Sequence, residues 1–191
     1  MLAPLVLASA SPRRRELLAE LGVDFIVDAS TAPEIPFPGE PPAAFARRAA
    51  QDKAIEVANR HAGRFVLGAD TVVALGTTIF GKPSDRADAR RMLQALSGRT
   101  HVVMTGVALV DPAGAIETFV VESSVEFRAI HPSEIETYLD SDEPFDKAGA
   151  YAVQGLAGQF VVAVRGSRSN VIGLPMEATM ELLIRRGLAP R

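Results

Sequence analysis

The sequence predicts an α/β domain built on a mixed β-sheet flanked by helices, and three observations carry that expectation. Apolar, β-branched runs alternate with helical patterns along the chain instead of separating into an α half and a β half. Two long β runs, 100–110 and 116–127, flank Asp111, Pro112, Ala113 and Gly114, a turn composition that makes them a hairpin. The 191 residues, 48% hydrophobic and 23% charged, match one globular domain spanning 1–191 with a substantial core and no internal repeat.

The elements follow in order. A short apolar strand ends at Ser9–Ala10–Ser11–Pro12, and a helix opens there with Ser11 as N-cap and Pro12 at its first position. Leu17, Leu18 and Leu21 form its buried face and Gly22 its stop. A strand is expected at 23–27. Residues 31–42 hold five of the thirteen prolines and exclude regular structure; a loop of this length is a lid or a disordered segment, and it carries Glu34 and Glu40. Residues 43–61 read as a helix with Phe45, Ala49 and Ala50 on one side and Lys53 toward its middle, and 65–73 as a strand. A hairpin around 75–80 leads through Gly81, Lys82 and Pro83 to a helix capped by Ser84, running to Ser97 and closed by Gly98. Beyond the long hairpin, Ser133 and Glu136 read as a capping box for a short helix through Leu139. A polar loop from Glu143 to Gly155, a strand at 160–164, a loop at 166–170 and a helix from near Pro175 to Gly187 complete the chain.

Chemistry enters where these elements carry residues they should not favour. Arg13, Arg14 and Arg15 occupy the first turn of a helix, where exposed N–H groups already leave positive charge and each cation costs about 0.3–1 kcal/mol. A solvated basic face is the bland reading. The position favours a bound anion, because a strand, a serine-rich turn and a helix N-terminus offer N–H groups to phosphate and guanidinium forks add bidentate bonds. Asp70 interrupts the apolar strand within Gly68–Ala69–Asp70–Thr71, and ionised carboxylates are rarely buried there unless paired or bound to a metal. A strand ending at Gly68 would remove the anomaly, but Val72 and Val73 resume the β pattern. Of 20 basic residues only Lys53, Lys82 and Lys147 are lysines, on the helix after the glutamate-bearing loop, in the Gly81–Pro83 turn and in the Asp146 loop; a compact ammonium kept against phosphate oxygens would explain them, as would genome base composition.

Composition excludes several classes. A net charge of −3 argues against a nucleic-acid binder. The absence of cysteine removes disulfides and thiolate metal sites, and His61, His101 and His131 have no paired ligand spacing, so any metal rests on carboxylates. No apolar run approaches the roughly 18 residues that span a bilayer. The apolar stretch 2–10 ends in a cleavage-like Ala8–Ser9–Ala10, but its basic residues follow instead of precede it, which argues against secretion; a cytoplasmic location is expected.

Taken together, SASPRRRELL (9–18), GADTVV (68–73), GKP (81–83), LSGRTHVVMTGV (96–107), EPFDKAGAYAVQG (143–155) and SNVIGL (169–174) resemble the Maf family over almost the whole chain. The resemblance implies the inosine triphosphatase-like (Maf) fold and a nucleoside triphosphate pyrophosphatase that cuts between the α and β phosphates with a divalent metal, Mg²⁺ or Mn²⁺. It implies Asp70 as the general base, and Ser9, Arg13, Arg14, Glu34, Lys53 and Lys82 as the phosphate and metal apparatus, with Glu34 and Asp70 both candidate metal ligands. Arg13, Thr71 and Gln154 match the branch that acts on dTTP and UTP, where a sister branch acting on 7-methyl-GTP has Trp, Gln and Glu; modified pyrimidine nucleotides fit the same assignment. An amide such as Gln154 can both donate to and accept from the imide edge of thymine or uracil. The chain departs from the family at Ala49, where leucine is common, and at Arg168, where tyrosine is common and a change bears on the substrate mouth or an oligomer contact. The resemblance further implies a homodimer. The competing class is a nucleotide-binding regulator of septum formation or cell division without turnover, against which the intact Asp70 stands.

Overall fold

The computed structural model describes residues 4–188, so both ends of the 1–191 domain assigned from sequence lie outside the described residues. The strands are β1 (Leu5–Leu7), β2 (Phe25–Val27), β3 (Val66–Leu75), β4 (Thr78–Phe80), β5 (Thr100–Val110), β6 (Ile116–Phe127) and β7 (Val161–Arg165). The α-helices are α1 (Pro12–Glu20), α2 (Pro42–Ala58), α3 (Arg86–Leu96), α4 (Pro132–Leu139), α5 (Arg168–Ile172) and α6 (Met176–Arg185). The strands join in one seven-stranded sheet of order β2-β1-β3-β5-β6-β7, with β4 on β3. β1 runs parallel to β2 and β3, whereas β4 is antiparallel to β3 and β7 to β6, so the sheet is mixed as the sequence predicts. By contact the chain forms two compact units interleaved in sequence. One comprises the chain up to Asp70, Thr105–Val121 and the chain from Gly173; the other comprises Thr71–Met104 and Glu122–Ile172.

In the first unit, α1 starts as expected: the Ser11 side chain accepts from the Arg14 N–H, Pro12 takes the first helical position, and Gly22 follows the helix at φ +70°. α2 packs on the sheet through small residues. Ala46, Ala50 and Ala54, four apart, form a stripe along the helix, and two strand glycines meet it. A Cβ at Gly106 would lie 2.1 Å from the Ala46 carbonyl oxygen, and one at Gly68 would lie 2.4 Å from that of Ala50. Only glycine on the strands lets the helix come this close. Val6, Ala8, Val57, Val66, Ala108 and Val110 fill the rest of this layer.

The second unit has its own core, in which Phe127, Tyr138, Tyr151 and Phe160 meet edge-on and α3 packs against α4. Arg86 ties the two helices, donating to the Leu139 and Glu136 carbonyls at 2.7 and 3.2 Å and so satisfying the C-terminal end of α4. His101 is only 1% exposed, with Nε2 2.7 Å from the Tyr151 hydroxyl, and burial lowers its pKa from 6.5 to about 4. Neutral when folded but free to charge when unfolded, it contributes stability that is full above about pH 6.5 and is lost as pH falls toward 4. Acidification from pH 7 to pH 4.5 is therefore expected to cost on the order of 2–3 kcal/mol through this group. Urea denaturation at both pH values checks this, and His101→Gln should flatten most of the difference.

Several local expectations shift. The helix assigned to a Ser84 cap is capped by Asp85, whose side chain accepts from the Asp88 N–H at 2.8 Å, while the Ser84 N–H reaches back to Asp88. Of two good capping residues, the carboxylate gains additionally from the helix dipole. The capping box is His131 with Glu134, not Ser133 with Glu136, because Pro132 fits the first helical position and so moves the cap two residues earlier, to His131. Residues 166–170, expected to be a loop, run into α5, and β2 begins at Phe25 instead of 23.

Candidate active site

Strand geometry decides which way Asp70 points. Alternate residues of a strand share a face, so Asp70 shares the face of Gly68, the glycine against which α2 is pressed. The close approach of α2 brings Lys53 onto that carboxylate. Lys53 Nζ donates to Asp70 Oδ1 at 2.6 Å and pairs with Glu34 Oε1, also at 2.6 Å. The Lys53 and Asp70 side chains are 7% and 6% exposed, and Glu34 is the open member at 42%.

Burial is the largest influence on Asp70 and raises its pKa; Lys53 and Arg14 oppose it, and Glu34 adds a like charge. A carboxylate moved upward in this way is a stronger base than a free aspartate, which suits it to take a proton from water. Arg14 completes the cluster. Its Nε donates to the Gly173 carbonyl at 2.9 Å and its Nη1 to Ser9 Oγ at 3.3 Å, and Ser9 Oγ also accepts from the Ser11 N–H at 3.2 Å. Burial lowers the pKa of Arg14 while Asp70 and Glu34 raise it, so the guanidinium feels both carboxylates. Arg13 is its partly buried neighbour on α1, and Arg15 is exposed.

The first unit thus brings Ser9, Arg14, Glu34, Lys53 and Asp70 into one network with Arg13 beside it. Thr71, Lys82 and Gln154 belong to the second unit. Thr71 follows Asp70 in β3 and is partly buried, Lys82 is exposed after β4, and Gln154 is exposed just before a 3₁₀ turn at Leu156–Phe160. The loop carrying Gln154 is organised by Glu143, which accepts from the Leu156 N–H at 2.8 Å, the Ala157 N–H at 3.3 Å and the Tyr138 hydroxyl at 3.0 Å.

Among the described residues no group of three or more histidines or acids gathers to hold a metal. Glu34 and Asp70 nevertheless converge on one cation, the Lys53 ammonium. Two carboxylates with oxygen donors completed by phosphate and water are the set that Mg²⁺ and Mn²⁺ accept, so these residues fit such an ion.

Sequence reasoning missed what holds the loop that carries Glu34. Arg48 and Asp52 on α2, Glu56 one turn further and Arg60 just beyond the helix recur every four residues. Glu56 accepts from Ser30 Oγ and from the Thr31 N–H, the latter at 2.8 Å, and Arg60 reaches Asp28 at 3.1 Å. That spacing is visible in the sequence; the partners of Glu56 and Arg60, 25–32 residues away, are not.

A family model described as Maf-like protein matches residues 4–186. The dTTP/UTP pyrophosphatase of Myxococcus xanthus (strain DK1622) is 55% identical over 185 residues, covering 96% of this chain and 93% of the relative. That of Geobacter sulfurreducens is 50% identical over 184 residues, covering 96% of each. Among solved structures, the Staphylococcus aureus Ham1 protein aligns with 95% of this chain and 98% of its own at a TM-score of 0.50 and 15% identity, a likeness of fold.

Proposed function

The chain belongs to the Maf family, and from that membership we propose that it is a pyrophosphatase hydrolysing dTTP and UTP, and modified pyrimidine nucleotides of the same shape, to the monophosphate and pyrophosphate. The observation that carries the reading to particular residues is Asp70, a buried in-strand carboxylate held by Lys53, whose ammonium also pairs with Glu34. Phosphoanhydride cleavage needs a positioned water, a group to accept its proton and positive charge where negative charge grows. Asp70 accepts the proton as the water oxygen bonds to the α-phosphorus, and the bond to the bridging oxygen breaks so that pyrophosphate leaves. Arg13, Arg14, Lys53 and Lys82 hold phosphate oxygens, with Ser9 keeping Arg14 in place and available as a further donor. Thr71 and Gln154 are assigned to the base.

Glu34 and Asp70 would hold a divalent cation, Mg²⁺ or Mn²⁺, which when bound neutralises charge on the triphosphate. Among the described residues no helix is long and apolar enough to cross a membrane, in keeping with the cytoplasmic location proposed. The acidic net charge supports a free nucleotide, not DNA or RNA, as the partner. The assembly proposed is a homodimer, on family membership.

The test is turnover of dTTP, UTP, CTP, GTP, ITP and 7-methyl-GTP with Mg²⁺ or Mn²⁺. Selective release of pyrophosphate from dTTP and UTP is expected. Turnover of another base instead would overturn the roles of Thr71 and Gln154 and leave the reaction standing. Nucleotide binding with no turnover would favour a regulator.

A further inference from the structure

Glu34 reaches Lys53 from a segment that has no ladder of its own: residues 31–41 lie outside any helix or strand, and Pro33, Pro36 and Pro38 cannot donate backbone hydrogen bonds. Something else must fix where its carboxylate stands. One guanidinium does most of this. Arg48 Nη2 donates to the Ile35 carbonyl, the residue directly after Glu34, at 3.0 Å. Its Nε and Nη2 grip both oxygens of Glu40 at 2.8 and 2.7 Å, and Glu40 in turn accepts from the Phe37 N–H at 2.9 Å. The same guanidinium lies 3.9 Å from the centre of the Phe37 ring, and Asp52 steadies it from α2 at 3.1 Å. A planar, bidentate, stacking cation is needed for this set, and lysine could not replace it.

We propose that Arg48 is a positioning residue for the reaction: through Ile35, Phe37 and Glu40 it fixes the loop so that Glu34 meets Lys53 and stands ready, with Asp70, for the cation. Glu34 is more exposed than its partners, 42% against 7% for Lys53, so packing fixes it less than it fixes them and the backbone that carries it matters more. The inference rests on the reading of Glu34 as part of the active site. A loop released at Ile35 leaves Lys53 and Asp70 paired but withdraws the second carboxylate.

The test uses Arg48→Met, which keeps the aliphatic stem, Glu40→Gln, which breaks the clamp from the loop side, and the double variant. For dTTP, each single variant is expected to lower kcat/KM by about ten- to a hundredfold, the scale of a misplaced catalytic group, and to raise the half-activating Mg²⁺ concentration several-fold. The double variant should be no worse than about threefold below the weaker single, because both break one clamp. Amide exchange at Phe37 and Glu40, whose N–H groups donate to the Glu40 carboxylate and the Phe37 carbonyl, should accelerate at least tenfold in both variants while that of β3 stays unchanged. Unchanged exchange at these amides, or losses in the two single variants that multiply in the double, would overturn the proposal. A wild type that fails to turn over dTTP would sink the assigned function instead, and the exchange measurement would still decide whether Arg48 fixes the loop.

Discussion

Asp70→Asn is expected to abolish pyrophosphate release from dTTP and UTP, lowering kcat by at least about 10³-fold while leaving the protein folded. The amide has the same size and keeps an oxygen where Lys53 donates at 2.6 Å, so the contact with α2 survives. It cannot accept a proton from water, and general base catalysis alone is worth roughly 10²–10⁴-fold. It also removes a charge from any cation shared with Glu34. Stability should change little, because burial already disfavours the charged form of Asp70 and Lys53 retains Glu34 as its counter-ion. Steady-state kinetics beside a thermal melt separates these effects. A variant within tenfold of wild type would place the base elsewhere.

Lys53→Met is expected to act on stability as strongly as on turnover. The ammonium is the shared partner of two carboxylates, one of them nearly inaccessible, and methionine fills much the same space without the charge. Removing one member of a buried pair typically costs about 3–5 kcal/mol because the other charge is left uncompensated. For a chain of this length that corresponds to a Tm lower by roughly 10 °C. Without Lys53 the Asp70 pKa, already raised by burial, moves further up. The protonated carboxyl is then favoured by the folded state, so the deficit relative to the wild type is smallest in acid and grows as pH rises above the wild-type Asp70 pKa toward the higher one. Millimolar Mg²⁺ should recover part of the lost Tm, since a cation again stands between Glu34 and Asp70. A loss below about 1 kcal/mol with no response to Mg²⁺ would show that the pair neither stabilises the fold nor forms a cation site.

Features set by short-range chemistry were the legible ones. The β5–β6 hairpin falls at its expected boundaries because Asp111 accepts from the Ala113 and Ala115 N–H groups and Gly114 adopts φ +86°, a turn written in four residues. The start of α1 was legible for the same reason, through Ser11 and Pro12. Asp70 stood out because a carboxylate inside an apolar strand contradicts its surroundings, and the strand does run through it with the side chain buried. Where two adjacent residues could do one job, as with Ser84 and Asp85, sequence alone chose the wrong one. Five-residue α5 is too short to show a helical period.

What was not legible depends on distance along the chain. The glycines at 68 and 106 could be seen, but not that both face the Ala46–Ala50–Ala54 stripe and thereby draw Lys53 to Asp70. The proline-rich segment read as a lid or a disordered stretch, since nothing in it forms regular structure. Its order comes from Arg48 and Glu56 on the following helix, a contribution that no window confined to the loop contains. Nothing local separates Arg48 from the other arginines, which make up 17 of the 20 basic residues.

The measurement that bears most directly on the central assignment is the product pair formed from dTTP by the wild-type protein with Mg²⁺. Equal amounts of dTMP and pyrophosphate are predicted. Formation of dTDP and phosphate, or binding of dTTP with no product at all, would contradict it.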